Sequence, residues 1–318
     1  MARVVVFGSS NTDMTVQTPR LPAPGETILG GSFRSSPGGK GANQAVAASR
    51  AGAEVVFICA VGDDELGRRA LDLFRREGLK VDYVKVVEGV ASGVALIFVD
   101  DDGENMIGVA SGANATFEPE DVARLPESLF RPGDILLAGL EVPAAAAVAA
   151  MKRGRAAGMT VVLNPAPAPP KGAAETAELL ASADIVTPNR VEALALADAL
   201  DEGDRTDWRA VARRLLDRGP RAAVITLGSQ GCLAATLDDV RAIPARRVKA
   251  VDTVGAGDAF NGALAAALAQ GRALAEAAAW AGAAAALATT QHGAQSALPT
   301  RDAIARFLDD GQAGESQV

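Results

Sequence analysis

The sequence predicts an α/β fold in which helices cover both faces of a central, mostly parallel β-sheet. Short β-branched runs alternate with longer segments rich in Ala, Leu, Arg and Glu along most of the 318 residues. Strands that are apolar throughout, such as Val4–Phe7 and Ile135–Ala138, are typical of a parallel sheet that is buried on both faces. No internal repeat and no long linker divides the chain, so we expect one domain over residues 1–318.

The remaining elements follow from the same alternation of apolar runs and amphipathic segments. Further strands are predicted at 55–61, 161–163, 185–187 and 223–226. Helices are predicted at 42–51, 64–77, 143–157, 190–199 and 207–217. From Val240 onward the order changes to a polar strand, a glycine turn and helices to the end.

One region departs from this alternation and predicts a small β-sheet, the β lid. Residues 92–99 are apolar on both faces of a strand, and the chain turns at 100–103 before it continues as 105–109. Because an exposed hairpin of this kind is not stable, it must lie on something. Together with nearby loops and strands, it indicates a lid over about 14–35 and 92–110 that covers a ligand and docks a second subunit. The alternative is two ordinary strands at the edge of the main sheet.

Composition narrows the class of partner and of site. The net charge of −8 argues against nucleic acid or an anionic membrane as partner. His292 is the only histidine, which argues against a His-based triad or a zinc site.

Cys59 and Cys232 are predicted to be small core residues in a reducing compartment. With no signal-peptide pattern before the first strand, we expect a cytoplasmic protein. The Ala-rich stretch 273–290 is too weakly apolar for a membrane span and predicts a buried helix.

The most informative motif runs from Asp252 to Asp258 with the sequence DTVGAGD, and it leads into an Ala-rich helix. Glycines let the backbone turn tightly and direct successive N–H groups into one small volume, and a helix start attracts a phosphate. A carboxylate at Asp258 would repel such an anion, unless it takes a proton from an alcohol that attacks the phosphoryl group. The alternative is an Asp that only stabilises the first turn of the helix.

Two other glycine-rich elements lie at predicted strand or helix ends. The sequence PGGKGANQA at 37–45 fits neither the Walker pattern nor the dinucleotide fingerprint. Its Lys40 and Asn43 are directional donors that suit the hydroxyls of a small polar ligand, although a simple turn with a solvated lysine is the alternative. The loop 226–231 suits a nucleotide, but by itself it is an ordinary hairpin turn.

Polar residues also follow several predicted strands, where open α/β sheets bind their ligands. Asn11 and Asp13 follow the first strand and either grip two neighbouring hydroxyls or form an Asx turn. Glu141 occupies the equivalent position after another strand. Asn189 and Glu192 either form a helix capping box or orient water around a divalent metal and nucleotide phosphates.

Together these residues resemble the ribokinase family of sugar and nucleoside kinases, also called the PfkB family, from about Arg3 to Leu308. The first family pattern is matched by Gly38–Asn43, followed at the expected spacings by Ala45, Gly52 and Gly62. The second is matched by Asp252–Ala265. Within the family, the similarity to members that phosphorylate ribose is carried by the stretches 11–13, 24–27 and 37–45.

The resemblance implies phosphorylation of the O5 hydroxyl of D-ribose by ATP. Asp258 would be the general base, and an anion hole would be formed by the amides of Gly255, Ala256 and Gly257. The sugar would be bound by Asp258 together with Asn11, Asp13, Gly39, Lys40, Asn43 and Glu141. ATP would contact Asn189, Thr226, Gly228, Ser229, Gly231 and Gly257. Glu192 would help to organise Mg²⁺.

The resemblance also implies a monovalent-cation site, usually for K⁺, at Asp252, Val254, Ala288, Gln291, Gly293 and Ala297. Most of these positions would act through backbone carbonyls. Ala297 departs from the family, in which a serine hydroxyl is common here, and Ser296 or water is the candidate substitute. We also expect a homodimer formed through the β lid.

Two other functions stay open at this point. The first is a sibling kinase for deoxyribose, another pentose, a ketose or a nucleoside. With 4% aromatic residues the chain offers little surface for a nucleobase, and this favours a free sugar. The second is a non-catalytic sugar-binding protein, which would be expected to lose Asp258 or the glycines of its turn.

Overall fold

The computed structural model describes residues 2–170, 172–198, 203 and 206–315, with side chains described up to residue 310. The strands are β1 (Val4–Phe7), β2 (Asn11–Gln17), β3 (Ser32–Gly38), β4 (Val55–Ile58), β5 (Ala60–Gly62), β6 (Lys85–Val87), β7 (Gly93–Val99), β8 (Asn105–Ala110), β9 (Ile135–Ala138), β10 (Thr160–Leu163), β11 (Ile185–Val186), β12 (Ala222–Thr226), β13 (Cys232–Thr236) and β14 (Val240–Ile243). The helices are α1 (Lys40–Arg50), α2 (Glu65–Arg76), α3 (Pro119–Arg124), α4 (Ala144–Ala156), α5 (Glu175–Ser182), α6 (Arg190–Leu196), α7 (Trp208–Leu216), α8 (Ala256–Ala269), α9 (Leu274–Ala288) and α10 (Arg301–Glu315).

The large sheet has eight strands in the order β14-β13-β12-β11-β10-β9-β1-β4. The six strands from β12 to β4 are parallel, and β13 and β14 extend the sheet as antiparallel strands. Alternate residues of one strand enter two different cores: Val4 and Val6 pack with α1, α8 and α9, whereas Val5 and Phe7 pack with α4 to α7. The prediction of a mostly parallel sheet with helices on both faces is confirmed.

The predicted strand 55–61 is wrong in one respect, because the chain leaves the large sheet at Cys59. Residues up to Ile58 pair with β1, whereas Ala60–Gly62 pair with β6 in a separate two-stranded sheet. The run is apolar throughout, so its pattern contains no signal for the change of sheet. Helix α1 begins at Lys40, two residues before the predicted start. The helix predicted at 190–199 ends at Leu196, and residue 199 lies outside the described residues.

The β lid is a separate four-stranded sheet with the order β3-β2-β7-β8. The alternative of two strands at the edge of the main sheet is therefore wrong. The lid is longer than predicted, because β2 already begins at Asn11 and β3 continues to Gly38. Every residue of β8 is exposed, and large apolar side chains such as Leu96 and Ile107 are more than half exposed in the single chain.

Helices α8 and α9 are rich in alanine, and α8 packs closely against both α1 and α9. Residues 277, 278, 281, 283, 284 and 288 of α9 are buried, in agreement with the predicted buried helix. Among the described residues, none of the helices combines the length and the apolar character that crossing a bilayer requires. Both cysteines are free and buried, as predicted.

The contact between α1 and α8 depends on the absence of a side chain at Gly262. A Cβ atom there would overlap the Gln44 carbonyl oxygen and lie 2.5 Å from the Ala47 Cβ atom. Gly262→Ala should therefore lower the free energy of unfolding by about 2 kcal/mol, because backbone overlap outweighs the better helix propensity of alanine.

The matched control is Gly282→Ala in α9, where an added Cβ meets nothing within 4 Å. This variant should raise the free energy of unfolding by about 0.5–1 kcal/mol. Urea denaturation of both variants measures the difference, and equal effects of the two substitutions would contradict the close packing of α1 on α8.

Candidate active site

The candidate site lies at the carboxyl edge of the large sheet, where ligands bind in open α/β folds. Loops after β1, β9, β10 and β11 end there, and the N-termini of α1 and α8 point to the same place. The first residues of the β lid, Asn11 and Asp13, extend over this edge and share one face of β2 because they are two residues apart. The fold thus brings together residues that are more than 240 positions apart in sequence.

Helix α8 begins without a side-chain cap. Gly255 occupies the N-cap position with a left-handed φ of 76°, a conformation that favours glycine. The Ala256 N–H makes a long bond of 3.3 Å to the Thr253 carbonyl. Because no side chain caps the helix, its first amides are available to an external anion.

Asp258 lies in the first turn of α8 and is 8% exposed. One carboxylate oxygen accepts from Asn43 Nδ2 at 2.8 Å, and the other accepts from Gln44 Nε2 at 3.0 Å. Burial raises the pKa of Asp258, while nearby Lys40 and the two amide donors oppose the shift. The side chain is therefore a buried, hydrogen-bonded carboxylate with strengthened basicity, which is more than the stabilisation of a helix start requires.

Glu141 ties the loop after β9 to the start of α1. Its Oε2 accepts from Ser9 Oγ at 2.6 Å and from the Lys40 backbone N–H at 2.9 Å, and the Lys40 Nζ lies 3.7 Å from Oε1. Burial acts to lower the pKa of Lys40, but the carboxylates of Asp258, Glu141 and Glu192 outweigh it and raise the pKa. Lys40 is thus a charged donor held among acids.

Asp13 is partly buried beside these groups and packs against Gly38, where a Cβ atom would overlap its carboxylate. Gly39 has a φ of 87°, and a Cβ atom there would lie 2.6 Å from the Asn11 backbone nitrogen. Burial first, and then the charges of Glu141 and Asp258, raise the pKa of Asp13 to about 6, although Lys40 opposes the shift. Two of the glycines in the PGGKGANQA motif are thus required by close approach of the lid.

Two buried amide oxygens in this region, Asn43 Oδ1 and Gln44 Oε1, have no hydrogen-bond partner among the described residues. Buried polar atoms are nearly always paired. Asn43 Oδ1 therefore suits a hydroxyl donor supplied by a ligand.

A cleft of about 550 Å³ lies beside the start of α8. It is bordered by the β12–β13 turn, the segment 243–253 and the facing sides of α8 and α9. Its lining includes five of the six residues predicted to contact ATP, namely Thr226, Gly228, Ser229, Gly231 and Gly257. The sixth, Asn189, is outside the lining and forms a backbone bridge to Thr226.

Asn189 and Glu192 form the capping box that was one of the two interpretations. Asn189 Oδ1 accepts from the Glu192 N–H at 2.9 Å, and the Glu192 carboxylate accepts from both nitrogens of Asn189 at 2.8 Å. Burial raises the pKa of Glu192, which the backbone bond from Asn189 opposes. Both carboxylate oxygens are thus engaged within the protein.

The six positions predicted to hold a monovalent cation lie in two segments, 252–254 and 288–297. These are joined where the backbone N–H groups of Val251 and Asp252 donate to the Thr289 carbonyl at 2.7 and 3.2 Å. The Asp252 carboxylate accepts from Val254 N at 3.0 Å and from Gly293 N at 2.8 Å. Ala288 and Ala297 are buried, and Gln291 is exposed. Ser296 Oγ donates to the His292 carbonyl at 2.9 Å.

Four residues of the site were missed by the sequence analysis: Ser9, Gln44, Asn114 and Asn164. Asn114 Nδ2 donates to Asn11 Oδ1 at 2.8 Å and so turns the Asn11 amide nitrogen toward other partners. Asn164 directly follows β10 and obeys the same strand-end rule that identified Asn11 and Glu141. Gln44 follows Asn43 within a motif already recognised, so both carried a usable signal.

The profile of the pfkB family carbohydrate kinases matches residues 1–301. A ribokinase of Haemophilus influenzae is 38% identical over 306 residues, covering 96% of this chain and 98% of the relative. A deoxyribokinase of Salmonella typhi is 37% identical over 266 residues, covering 82% of this chain and 84% of the relative. The structure of Arabidopsis thaliana ribokinase complexed with ribose and ATP is similar with a TM-score of 0.83 at 30% identity, covering 97% of this chain and 99% of that one.

The raised pKa of Asp13 predicts a stability cost that depends on pH. Its folded pKa of about 6 exceeds the ordinary aspartate value of 3.8, so the folded state holds more protons between these values. The contribution of Asp13 to stability is therefore greatest at low pH and falls as the pH rises through this window. Asp13→Asn should raise the free energy of unfolding at pH 7.5 by about 1–2 kcal/mol, allowing for its partial solvation.

Denaturation of the wild type and Asp13→Asn at pH 4 and pH 7.5 measures this effect. The difference between the proteins should shrink toward zero at pH 4, where the wild-type side chain is also neutral. A pH-independent difference would show that the carboxylate is not under electrostatic strain.

Proposed function

Because the chain belongs to the pfkB family of carbohydrate kinases, we propose that it phosphorylates the O5 hydroxyl of D-ribose with ATP. The observation that carries the proposal is Asp258, a buried carboxylate in the first turn of an uncapped helix, between polar sugar-binding groups and a cleft of nucleotide size. A helix start next to a carboxylate suits a reaction in which a proton leaves an alcohol while a phosphate is held.

In the proposed reaction the sugar oxygen forms a bond to the γ-phosphorus, and the bond from that phosphorus to the β–γ bridging oxygen breaks. The sugar hydroxyl proton passes to Asp258, and the products are the sugar phosphate and ADP. Asn43 and Gln44 hold the carboxylate through its two oxygens, which fixes its lone pairs for proton transfer. The first amides of α8 stabilise the charge on the transferring group.

The sugar is proposed to lie among the side chains that surround Asp258, where the protein supplies both charged acceptors and charged donors. The proposed contacts are made by Asn11, Asp13, Gly39, Lys40, Asn43, Glu141 and Asp258. Lys40 is a donor held by Glu141, and Asn43 offers an unpartnered acceptor. This mixture suits a polyol better than an apolar ligand.

ATP is proposed to occupy the cleft beside α8 with contacts to Thr226, Gly228, Ser229, Gly231 and Gly257, and with Asn189 nearby. Mg²⁺ would neutralise the phosphates when bound. Among the described residues, no three His, Cys, Asp or Glu side chains are placed so that they could hold a metal ion together, so the phosphates and water would supply most of its ligands. Glu192, whose oxygens are engaged by Asn189, would act on the ion through water.

K⁺ is proposed to bind where 252–254 and 288–297 meet, with ligands from Asp252, Val254, Ala288, Gln291, Gly293 and Ala297. One carboxylate and several backbone carbonyls form a suitable set for a large monovalent cation. The ion would fix the segment that precedes α8. Ala297 supplies only its carbonyl, and Ser296 Oγ is engaged with His292.

Deoxyribose is the second candidate substrate, because a deoxyribokinase is about as similar in sequence as the ribokinases. The two sugars differ by one hydroxyl. A coupled ADP-release assay with ribose, deoxyribose, ketohexoses and nucleosides distinguishes them, and ribose should give the highest kcat/KM. Activity on nucleosides alone would overturn the assignment of a free sugar.

We further propose that the chain is one kinase domain that acts as a cytoplasmic homodimer joined through the β lid. Phe33, Leu96 and Met106 lie on one face of the lid and Ile107 and Val109 on the other, and all five side chains are 51–66% exposed in the single chain. Exposed apolar patches of this kind mark interfaces. The open edge of β8 is also a template for pairing, and the two buried thiols suit a reducing compartment.

Asp258→Asn should lower kcat by about 10²–10⁴-fold, because it removes the general base while preserving the shape of the side chain. Sugar binding, measured by calorimetry, should persist. The matched control is Asp302→Asn, an exposed aspartate in the first turn of α10. If Asp258 only stabilised its helix, both variants would lose a little stability and keep their kcat.

Ile107→Lys should convert the dimer into a monomer, because a charge in a buried apolar interface lacks a partner. Light scattering at micromolar concentration measures the mass. Leu237→Lys, at an exposed residue outside the lid, is the control that should remain a dimer. A wild-type protein that has the mass of one chain would refute the proposed assembly.

A further inference from the structure

We propose that one buried hydrogen-bond chain joins the Asp258 carboxylate to the Gly257 carbonyl and so fixes the base relative to the anion-binding amides. Its members act as positioning residues and are Gln44, Asn164, Thr187 and Asn261. They come from α1, from the loops after β10 and β11, and from α8, and each is at most 5% exposed. The proposal rests on the role of Asp258 proposed above.

The hydrogen-bond chain from Asp258 to Gly257 has no gap longer than a hydrogen bond. Gln44 Nε2 donates to Asp258 Oδ1 at 3.0 Å and to Asn164 Oδ1 at 2.9 Å. Asn164 Nδ2 donates to the Thr187 carbonyl at 3.1 Å. The Thr187 hydroxyl lies 2.5 Å from Asn261 Oδ1, and Asn261 Nδ2 donates to the Gly257 carbonyl at 2.8 Å.

Acceptors that cannot become donors fix the polarity of this chain. The Thr187 carbonyl requires the nitrogen of Asn164, which leaves Asn164 Oδ1 to face Gln44. Gln44 must then present its nitrogen to Asn164 and to the Asp258 carboxylate, and its oxygen is left without a partner, as observed. In the same way, the Gly257 carbonyl turns Asn261 Oδ1 toward the Thr187 hydroxyl. Each amide thus has one orientation, which makes the chain a rigid support.

The hydrogen-bond chain also affects the pKa of Asp258, the proposed base. Charged groups around Asp258 come from β2, α1, the loop after β9 and α6, and they are Asp13, Lys40, Glu141 and Glu192. Burial raises the pKa of Asp258, and the Gln44 hydrogen bond opposes that rise by stabilising the charged form. Loss of the Gln44 donor should therefore move the acid limb of kcat to higher pH.

Gln44→Met removes the donor and keeps the length of the side chain. It should lower kcat by about 10- to 100-fold, because a carboxylate that is no longer held in one orientation is misplaced for proton transfer. The acid limb of the kcat profile should rise by about one pH unit. The KM for ribose should change little, because Gln44 is not among the proposed sugar contacts.

Thr187→Val and Thr187→Ser form a second, independent pair that also decides the question if Gln44→Met fails to fold. Valine has the shape of threonine without the hydroxyl and should lower kcat by about tenfold. Serine keeps the hydroxyl and should retain wild-type kcat. A purely steric role of Thr187 would give the reverse order.

Asp134→Asn is the control for destabilisation alone. Asp134 forms a buried ion pair with Arg3 at the opposite end of the strands, so this variant should lose stability without a change in the pH profile. Wild-type kcat and an unchanged acid limb in folded Gln44→Met, or an equal shift in Asp134→Asn, would overturn the proposal. Wild-type kcat in Asp258→Asn would instead refute the role of Asp258 as the base. Failure of the proposed function and failure of the positioning role are thus distinguishable.

Discussion

The organising constraint of this molecule is the burial of the Asp258 carboxylate at the helix start that is proposed to bind a phosphate. Two negative groups at one place repel each other unless hydrogen bonds and a cation hold them apart in fixed positions. Asn43, Gln44 and Lys40 supply these interactions from a single helix, α1. The geometry of the site is therefore set by how closely α1 approaches α8, and that approach depends on small residues along both helices.

This requirement for close packing also explains why so much of the chain is alanine and glycine. Helices α1 and α8 pack so closely that they leave no room for a side chain at Gly262, and Gly38 and Gly39 let the chain pass close to Asp13 and Asn11. Larger residues would give the cores more apolar surface to bury. Small residues instead let α1 and α8 approach closely, so that Asp258 lies within hydrogen-bond distance of Asn43 and Gln44.

Much of this arrangement could be predicted from the sequence, and what could not has physical reasons. The parallel sheet, the lid and the glycine turn before α8 have strong local patterns. The change of sheet at Cys59 has none, because the run is apolar on both sides of it. Gln44 and Asn164 carried local signals, but the contacts of Gln44 with Asn164 and Asp258 could not be predicted, because these residues lie 120 and 214 positions away from it in sequence. The roles assigned to Asp258 and its neighbours stay predictions.

Strand β2 begins inside the site and ends at the far side of the lid. Asn11 and Asp13 thus belong to the same β lid strand as Val16, and the neighbouring strands β7 and β8 connect that strand to Leu96 and Ile107. Any tilt of the β lid relative to the large sheet would displace Asn11 and Asp13, two of the proposed sugar-binding residues, together. If these two residues bind the sugar as proposed, the free energy of sugar binding includes the free energy of tilting the lid, and a contact on the outer part of the lid would change the affinity for the sugar.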